Sequence, residues 1–287
     1  MILRIILFMT LILSCAGSTK ENLYDNNSFI IWAHSDVQPR SPGEKSYYEN
    51  AVNDITAILK RIDIALFAGD IVQHSDFEET YRWFLETRGK APVHEWHEIA
   101  GNHDWRAIDL YRKHVRKDLH YSVKKGNLLI LMMSNESPGR QTYISDVTFR
   151  WWRNLVINNQ DKIIITVTHG ALEGSGITAS YLDRLIIKDS KRFTETLKKY
   201  RVDLWLSGHS HLPGWIPNMQ KINKDYGNTV FIDMGAIRED FMTDSESLLI
   251  IFRDGSSYAI IKRRNHSSCK YINGDFIFQL PHPFTLN

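Results

Sequence analysis

Five short polar segments of this 287-residue chain carry residue types that bind divalent cations, and each follows an apolar run. They are His34-Ser35-Asp36-Val37-Gln38, Ala68-Gly69-Asp70, Ala100-Gly101-Asn102-His103-Asp104, Thr168-His169-Gly170 and Ser207-Gly208-His209-Ser210-His211. Two aspartates, an asparagine and several histidines are ligands that suit manganese, iron and zinc. Glycines ahead of Asp70, Asn102 and His209 allow tight turns that aim the next side chain inward. Taken singly, Asp36 and Asp70 could cap loops, His169 could be a core histidine bonded to backbone, and Asn102 could be a turn residue. Taken in order at strand ends, they read as one metal site. The two cysteines, Cys15 and Cys269, exclude a disulfide framework and a cysteine metal cluster, so the ligands must be His, Asp, Asn and similar groups.

In α/β sheets ligands gather at the carboxyl ends of strands, so these loops need buried strands behind them. The apolar runs at residues 29–33, 62–68, 128–133, 163–167 and 202–206 are each fit for a buried strand, and another strand runs into Glu98-Ile99-Ala100. Ser46 with Glu49 forms a capping box, and Ala51, Val52, Ile55, Ile58, Leu59 and Ile62 follow on one helical face. A second capping box, Ser75 with Glu78, opens a helix that Gly89 closes. Further helices are expected at 147–157, where Trp151 and Trp152 serve packing, and at 191–200. The last part changes character: residues 230–234, 248–252 and 258–261 are strands, and Asp254-Gly255 is a hairpin turn. The pattern predicts an α/β fold: a two-sheet β-sandwich flanked by α-helices, ending in a C-terminal β-meander, as one domain over residues 29–287.

Thirty-five basic and 33 acidic side chains leave a formal net charge of +2, too small an excess to point to nucleic acid or a membrane surface as partner. The basic clusters at 112–117 and 262–264 read as a solvated helix face and a strand end. At the N-terminus, Arg4, the apolar run 5–14 and Cys15-Ala16-Gly17 form an export signal over residues 1–17. It is too short for a membrane span, which needs about 20 apolar residues. Ile12-Leu13-Ser14-Cys15 resembles a bacterial lipobox, in which the cysteine becomes the lipidated first residue; a plain secretory cleavage near Ala16 is the alternative. Polar residues 18–28 form a tether. The expected product is exported and anchored to a membrane by its N-terminal lipid, in the periplasm or at the cell surface, or else secreted.

The ordered set GD, GNHD, H and GHSH, each after an apolar run, resembles the signature of calcineurin-like metallophosphoesterases. The motifs stretch from Asp36 to His211, and the strand order fits that family to about residue 262. The resemblance implies two divalent metal ions, of Mn, Fe or Zn, with Asp70 bridging them. Asp36 and His211 would bind the first, and Asn102, His169 and His209 the second. It implies in-line attack on phosphorus by a metal-bound hydroxide while both cations clamp the phosphate oxygens. His103 would be the general acid for the leaving alkoxide or stabilise transition-state charge, and Asp104 would orient its imidazole by accepting a hydrogen bond.

One motif departs from the usual Asp-x-His of the family: here it is Asp36-Val37-Gln38. Gln38 could bind the first metal through its amide oxygen or stand behind the ligands, and His34 is a second candidate for that place if the strand stays regular. His94 and His97 are expected at the surface, facing opposite sides of a strand, and His74 could line the cleft. Loops 37–46, 134–145 and 170–190 would choose the substrate, and their Arg40, Arg140 and Arg184 could hold a phosphate. The implied activity is metal-dependent hydrolysis of a phosphomonoester, phosphodiester or pyrophosphate. The alternative is a catalytically silent surface lipoprotein that uses this fold as a binding scaffold.

Overall fold

A computed structural model describes residues 27–73, 77–116, 118–239 and 244–286. The export signal, most of the tether, His74, Ser75 of the second capping box and Lys117 of the first basic cluster lie outside the described residues. Among the described residues the elements run β1 (Ser28–His34), α1 (Lys45–Ile58), β2 (Ile62–Phe67), α2 (Phe77–Arg88), β3 (Val93–Glu98), α3 (Ile108–His114), β4 (His120–Lys125), β5 (Leu128–Met133) and α4 (Asp146–Asn158). They continue as β6 (Ile163–Thr168), α5 (Lys191–Leu197), β7 (Leu204–Ser207), β8 (Gln220–Asn223), β9 (Thr229–Asp233), β10 (Glu246–Arg253), β11 (Tyr258–Asn265) and β12 (Lys270–Gln279).

Two six-stranded sheets result, one ordered β12-β11-β10-β1-β2-β3 and the other β4-β5-β6-β7-β9-β8. Strand alternation sorts the apolar side chains into three layers. Ile31, Ala33, Ile64, Leu66, Leu248 and Ile250 meet Ile130, Met132, Ile165, Val167 and Leu206 between the sheets. Ile30, Trp32, Ala65 and Phe67, on the other face of the first sheet, pack under Tyr48, Val52 and Ile55 of α1 and Tyr81 and Phe84 of α2. Leu129, Leu131, Ile164 and Trp205 pack under Trp152 and Val156 of α4 and Phe193 and Leu197 of α5. The architecture is therefore helices, sheet, sheet, helices, the sandwich expected for metallophosphoesterases, with the meander β10–β12 completing the first sheet. Truncating a fully buried side chain between the sheets, such as Leu66→Ala, would cost about 2–5 kcal/mol.

Pairing directions place the site. β1, β2 and β3 are mutually parallel, as are β5, β6, β7 and β9, so the carboxyl ends within each group share one rim. All five polar segments leave their strands there.

Several local expectations are corrected. The helix α1 begins at Lys45, after a 3-10 turn at Pro42–Glu44, and the Ser46 hydroxyl donates to Gly43 O at 2.7 Å, so Ser46 and Glu49 form no capping box. Arg263 and Arg264 are not a solvated strand end. Both are buried, the first on Glu246 at 3.1 Å and the second on Asp54 at 2.6 Å. His94 is exposed, but His97 is largely buried, beside Glu95 at 3.4 Å and the Tyr121 ring. Trp152 is fully buried and Trp151 packs against the same layer.

Candidate metal centre

Asp36, two residues past the end of β1, and Asp70, three past β2, are buried, and both hold left-handed backbone, with φ of 56° and 62°. His209 and His211, past β7, do the same at 66° and 51°. Left-handed conformations at non-glycine residues are costly and turn these side chains off the strand faces toward one another. Gly101 and Gly208 permit the close approach. A Cβ on Gly101 would overlap the Asp70 carboxylate, and one on Gly208 would sit 2.5 Å from Asp36 Oδ2.

Asp70 joins two clusters. Ligand atoms of Asp70, His169 and His209 lie within 4.8 Å of one another, as do those of Asp36, Asp70 and His211. In the first cluster, His169 Nδ1 donates to Ala68 O at 2.7 Å, which leaves its Nε2 as the lone-pair atom of the neutral ring. That Nε2 lies 3.3 Å from Asp70 Oδ2, 3.1 Å from Asn102 Oδ1 and 3.1 Å from His209 Nδ1. His209 in turn directs its Nε2 to the carbonyls of Arg140 and Arg184, at 2.8 and 3.0 Å, so its Nδ1 is also a lone-pair atom. Four electron-pair donors converge, and for neutral rings no proton stands between them. That donor set fits a transition-metal cation.

The electrostatics agree. Burial opposes a charge on His169, but Asp70 and Asp36 outweigh it and lift the ring to about 9. The field that holds a proton there would equally hold a cation. Burial, then the charge of His169, brings His209 down to about 4, in keeping with a neutral ligand. Burial would raise both carboxyls, yet His211 beside Asp36 and His169 beside Asp70 hold them below the ordinary carboxylate range.

In the second cluster His211 Nε2 lies 3.1 Å from Asp36 Oδ1, and Asp36 Oδ2 accepts the His209 amide at 2.8 Å. Gln38 is buried here. Its amide nitrogen is best placed donating to Asp70 O at 3.0 Å and Asp70 Oδ2 at 3.3 Å. Its oxygen then faces His211 Nε2 at 3.3 Å, directed as a ligand would be. His34 does not enter. The pleat sends its ring to the helix side of the sheet, stacked on Trp32 at 4.0 Å and within 3.4 Å of the Tyr48 hydroxyl.

His103 stands at the mouth, its side chain 17% exposed and its Nε2 3.9 Å from Asp70 Oδ2. Its Nδ1 donates to the Gln73 carbonyl at 3.1 Å. The role expected for Asp104 is therefore corrected. Its Oδ2 accepts from the amides of Asp70 (2.8 Å) and Gly101 (2.9 Å), and its Oδ1 accepts from Ile71 N (3.1 Å) and the Tyr81 hydroxyl (3.3 Å). Asp104 ties the second and third polar loops together, and the Gln73 carbonyl orients the imidazole. No side-chain signal could have marked Gln73, because the group at work is backbone. Among the candidate phosphate-binding arginines, Arg40 pairs with Glu44 at 2.9 Å, while Arg140 and Arg184 are exposed on the two loops that meet His209.

A layered sandwich with a shared aspartate between two donor clusters at its strand ends defines a metallophosphoesterase. The chain belongs to the calcineurin-like phosphoesterase family, whose model matches residues 29–213. No curated protein matches it by sequence. Among solved structures it is similar to GAP50, the anchor in the inner membrane complex of Plasmodium, with a TM-score of 0.61, 13% identity and 90% of each chain covered. It is also similar to a candidate 5'-nucleotidase from Staphylococcus aureus, with a TM-score of 0.52 and 11% identity over 79% of this chain and 51% of that one. At such identities the likeness concerns the fold.

Proposed function

We propose that the chain hydrolyses a phosphomonoester, phosphodiester or pyrophosphate, using two divalent cations of Mn, Fe or Zn. The observation that carries this reading is the position of Asp70 in both donor clusters. Asp36, Gln38, Asp70 and His211 would hold one cation, and Asp70, Asn102, His169 and His209 the other. Bound there, the cations supply Lewis-acid polarisation of the phosphate oxygens and an activated water. The chain's own residues do the rest. His103, doubly protonated, keeps its Nδ1 proton on the Gln73 carbonyl and gives its Nε2 proton to the leaving oxygen. Arg140 and Arg184, exposed on the loops that meet His209, would attract the substrate's negative charge.

The test uses protein stripped of metal and reloaded with Mn²⁺, Fe²⁺, Zn²⁺, Ni²⁺ or Mg²⁺. Release of nitrophenol from mono- and bis-nitrophenyl phosphate is followed, with His103→Ala alongside. Metal-dependent turnover that the variant loses supports the reading, and the better substrate separates monoesterase from diesterase. Tight uptake of two ions without turnover would replace it with a silent scaffold. Residues 1–17 support a further proposal, export and lipid attachment through Cys15. Lipid labelling that persists in Cys15→Ser would refute it.

A further inference from the structure

We infer that the C-terminal meander, through Glu246, Arg263 and Asn273, sets the spacing between the His211 loop and the Asp36 loop and thereby the metal affinity of the Asp36–Gln38–Asp70–His211 position. The inference rests on the reading that this cluster holds a cation. All three residues lie beyond the segment that the family model matches.

The loop after His211 is held at Gly214 from two sides. Its amide donates to both oxygens of Glu246, at 3.0 and 2.9 Å, and its carbonyl accepts from Asn273 Nδ2 at 2.6 Å. Gly214 is required there, since a Cβ would lie 2.5 Å from Arg263 Cδ and 2.7 Å from Glu246 Oε2. Glu246 is fixed by Arg263, whose Nη1 donates to it at 3.1 Å and to Met234 O at 3.0 Å, while Nη2 donates to Asp233 O at 2.5 Å. Arg263 thus holds the segment after β9 as well.

That segment receives the other side of the site. Ser35 Oγ donates to Gly235 O at 3.0 Å, and Ile237 N donates to Ser35 O at 3.1 Å. Ser35 immediately precedes Asp36. One buried guanidinium–carboxylate pair therefore lies between the anchors of Asp36 and of His211, two ligands on different sheets. Both ligands hold left-handed backbone, with φ of 56° and 51°, so each needs its flanking chain restrained. The other cluster has supports of its own, the carbonyls of Ala68, Arg140 and Arg184, and is joined to the first through Asp70 and the bond from His209 N to Asp36 Oδ2.

The experiment is calorimetric titration of the metal-stripped chain with Mn²⁺, with the phase of the first position identified by its loss in His211→Ala. Asn273 has φ of 66°, so Asn273→Gly removes the donor without straining the backbone. Glu246→Gln keeps an acceptor for Gly214 and removes the charge that Arg263 meets. Both variants should weaken the first phase by about tenfold or more and the other by less than about twofold. Asn273→Gly should leave the melting temperature of the metal-free chain essentially unchanged. Equal weakening of both phases, or an unaltered first phase in both variants, overturns the inference. A wild-type chain that takes up no metal overturns the underlying reading together with it.

Discussion

Replacing Asp104 by asparagine separates a scaffold role from a catalytic one. The carboxylate is fully buried and accepts from Asp70 N and Gly101 N on one oxygen, and from Ile71 N and the Tyr81 hydroxyl on the other. An asparagine must set its NH2 against one of these pairs. The Tyr81 side is the cheaper, because that hydroxyl can rotate to accept. Ile71 N then keeps only its longer contact, 3.3 Å, to the remaining oxygen. About one buried hydrogen bond is lost, a cost of about 1–3 kcal/mol. Asp104→Leu would strand the amides of Asp70, Ile71 and Gly101, at about 1–3 kcal/mol each, which consumes most of a stability of about 5–15 kcal/mol. The leucine variant should fail to fold; the asparagine variant should fold. Urea unfolding of the metal-free asparagine variant, followed by tryptophan fluorescence, should show the smaller loss. Its kcat under saturating metal should stay far above that of His103→Ala. Unchanged stability with kcat reduced to the His103→Ala level would refute this, and would return Asp104 to the role of orienting the imidazole.

Other substitutions probe separate parts. Asp70→Asn should abolish uptake of both ions, read by calorimetry, because the same carboxylate serves both clusters; loss of only one phase would contradict a shared ligand. Gln38→His should tighten the first phase, since imidazole is the stronger ligand for these metals, and an unaltered affinity would place residue 38 outside the ligand set. His103→Ala should keep both ions and lower kcat by about 10²–10⁴. Away from the site, Asp54 accepts from Arg264 at 2.6 and 2.8 Å and faces His266 Nδ1 at 2.8 Å. Burial acts to raise its carboxyl, but those partners outweigh it and hold it below the ordinary range. Its stabilising contribution is therefore complete above the unfolded value of about 3.9 and is lost as pH falls through the lower folded value. Asp54→Asn should cost about 3–5 kcal/mol at pH 7, by leaving Arg264 buried and unpaired, and should flatten the stability profile below about pH 4. An equal loss at pH 3 and pH 7 would show that the charge is not what matters.

The extent to which these features could be read from the sequence followed burial. Six consecutive apolar residues made β5 legible to its end residues, because both faces of that strand are covered. The edge strand β4, with Val123 as its one buried side chain, gave no such pattern, and neither did the polar edge strand β8. Arg263 and Arg264 looked like surface charge because alternation shows which face a residue takes and not what waits there; each meets a buried carboxylate. The polar loops announced their residue types and order, and the structure gathers Asp36, Gln38, Asp70, Asn102, His169, His209 and His211 around one centre. Sequence adjacency misled for Asp104, two of whose four partners stand on the preceding polar loop and one on α2. The supports at Gln73 and Gly214 act through backbone groups, which composition cannot display.

Of nine non-glycine residues with positive φ among the described residues, Asp36, Asp70, His209 and His211 belong to the two clusters. Each such conformation costs on the order of 1–3 kcal/mol. Glycine would adopt the same backbone with far less strain, so at each position the metal-free chain sets that strain against the side chain's own bonds, such as Asp36 Oδ2 on the His209 amide and Asp70 Oδ1 on the His103 amide. Backbone strain alone thus pulls these positions toward glycine, while their hydrogen bonds and metal retention pull the other way. The strain sits in four loop residues, while the three apolar layers of the sandwich do not depend on them, so the fold can stand without the chemistry its rim carries.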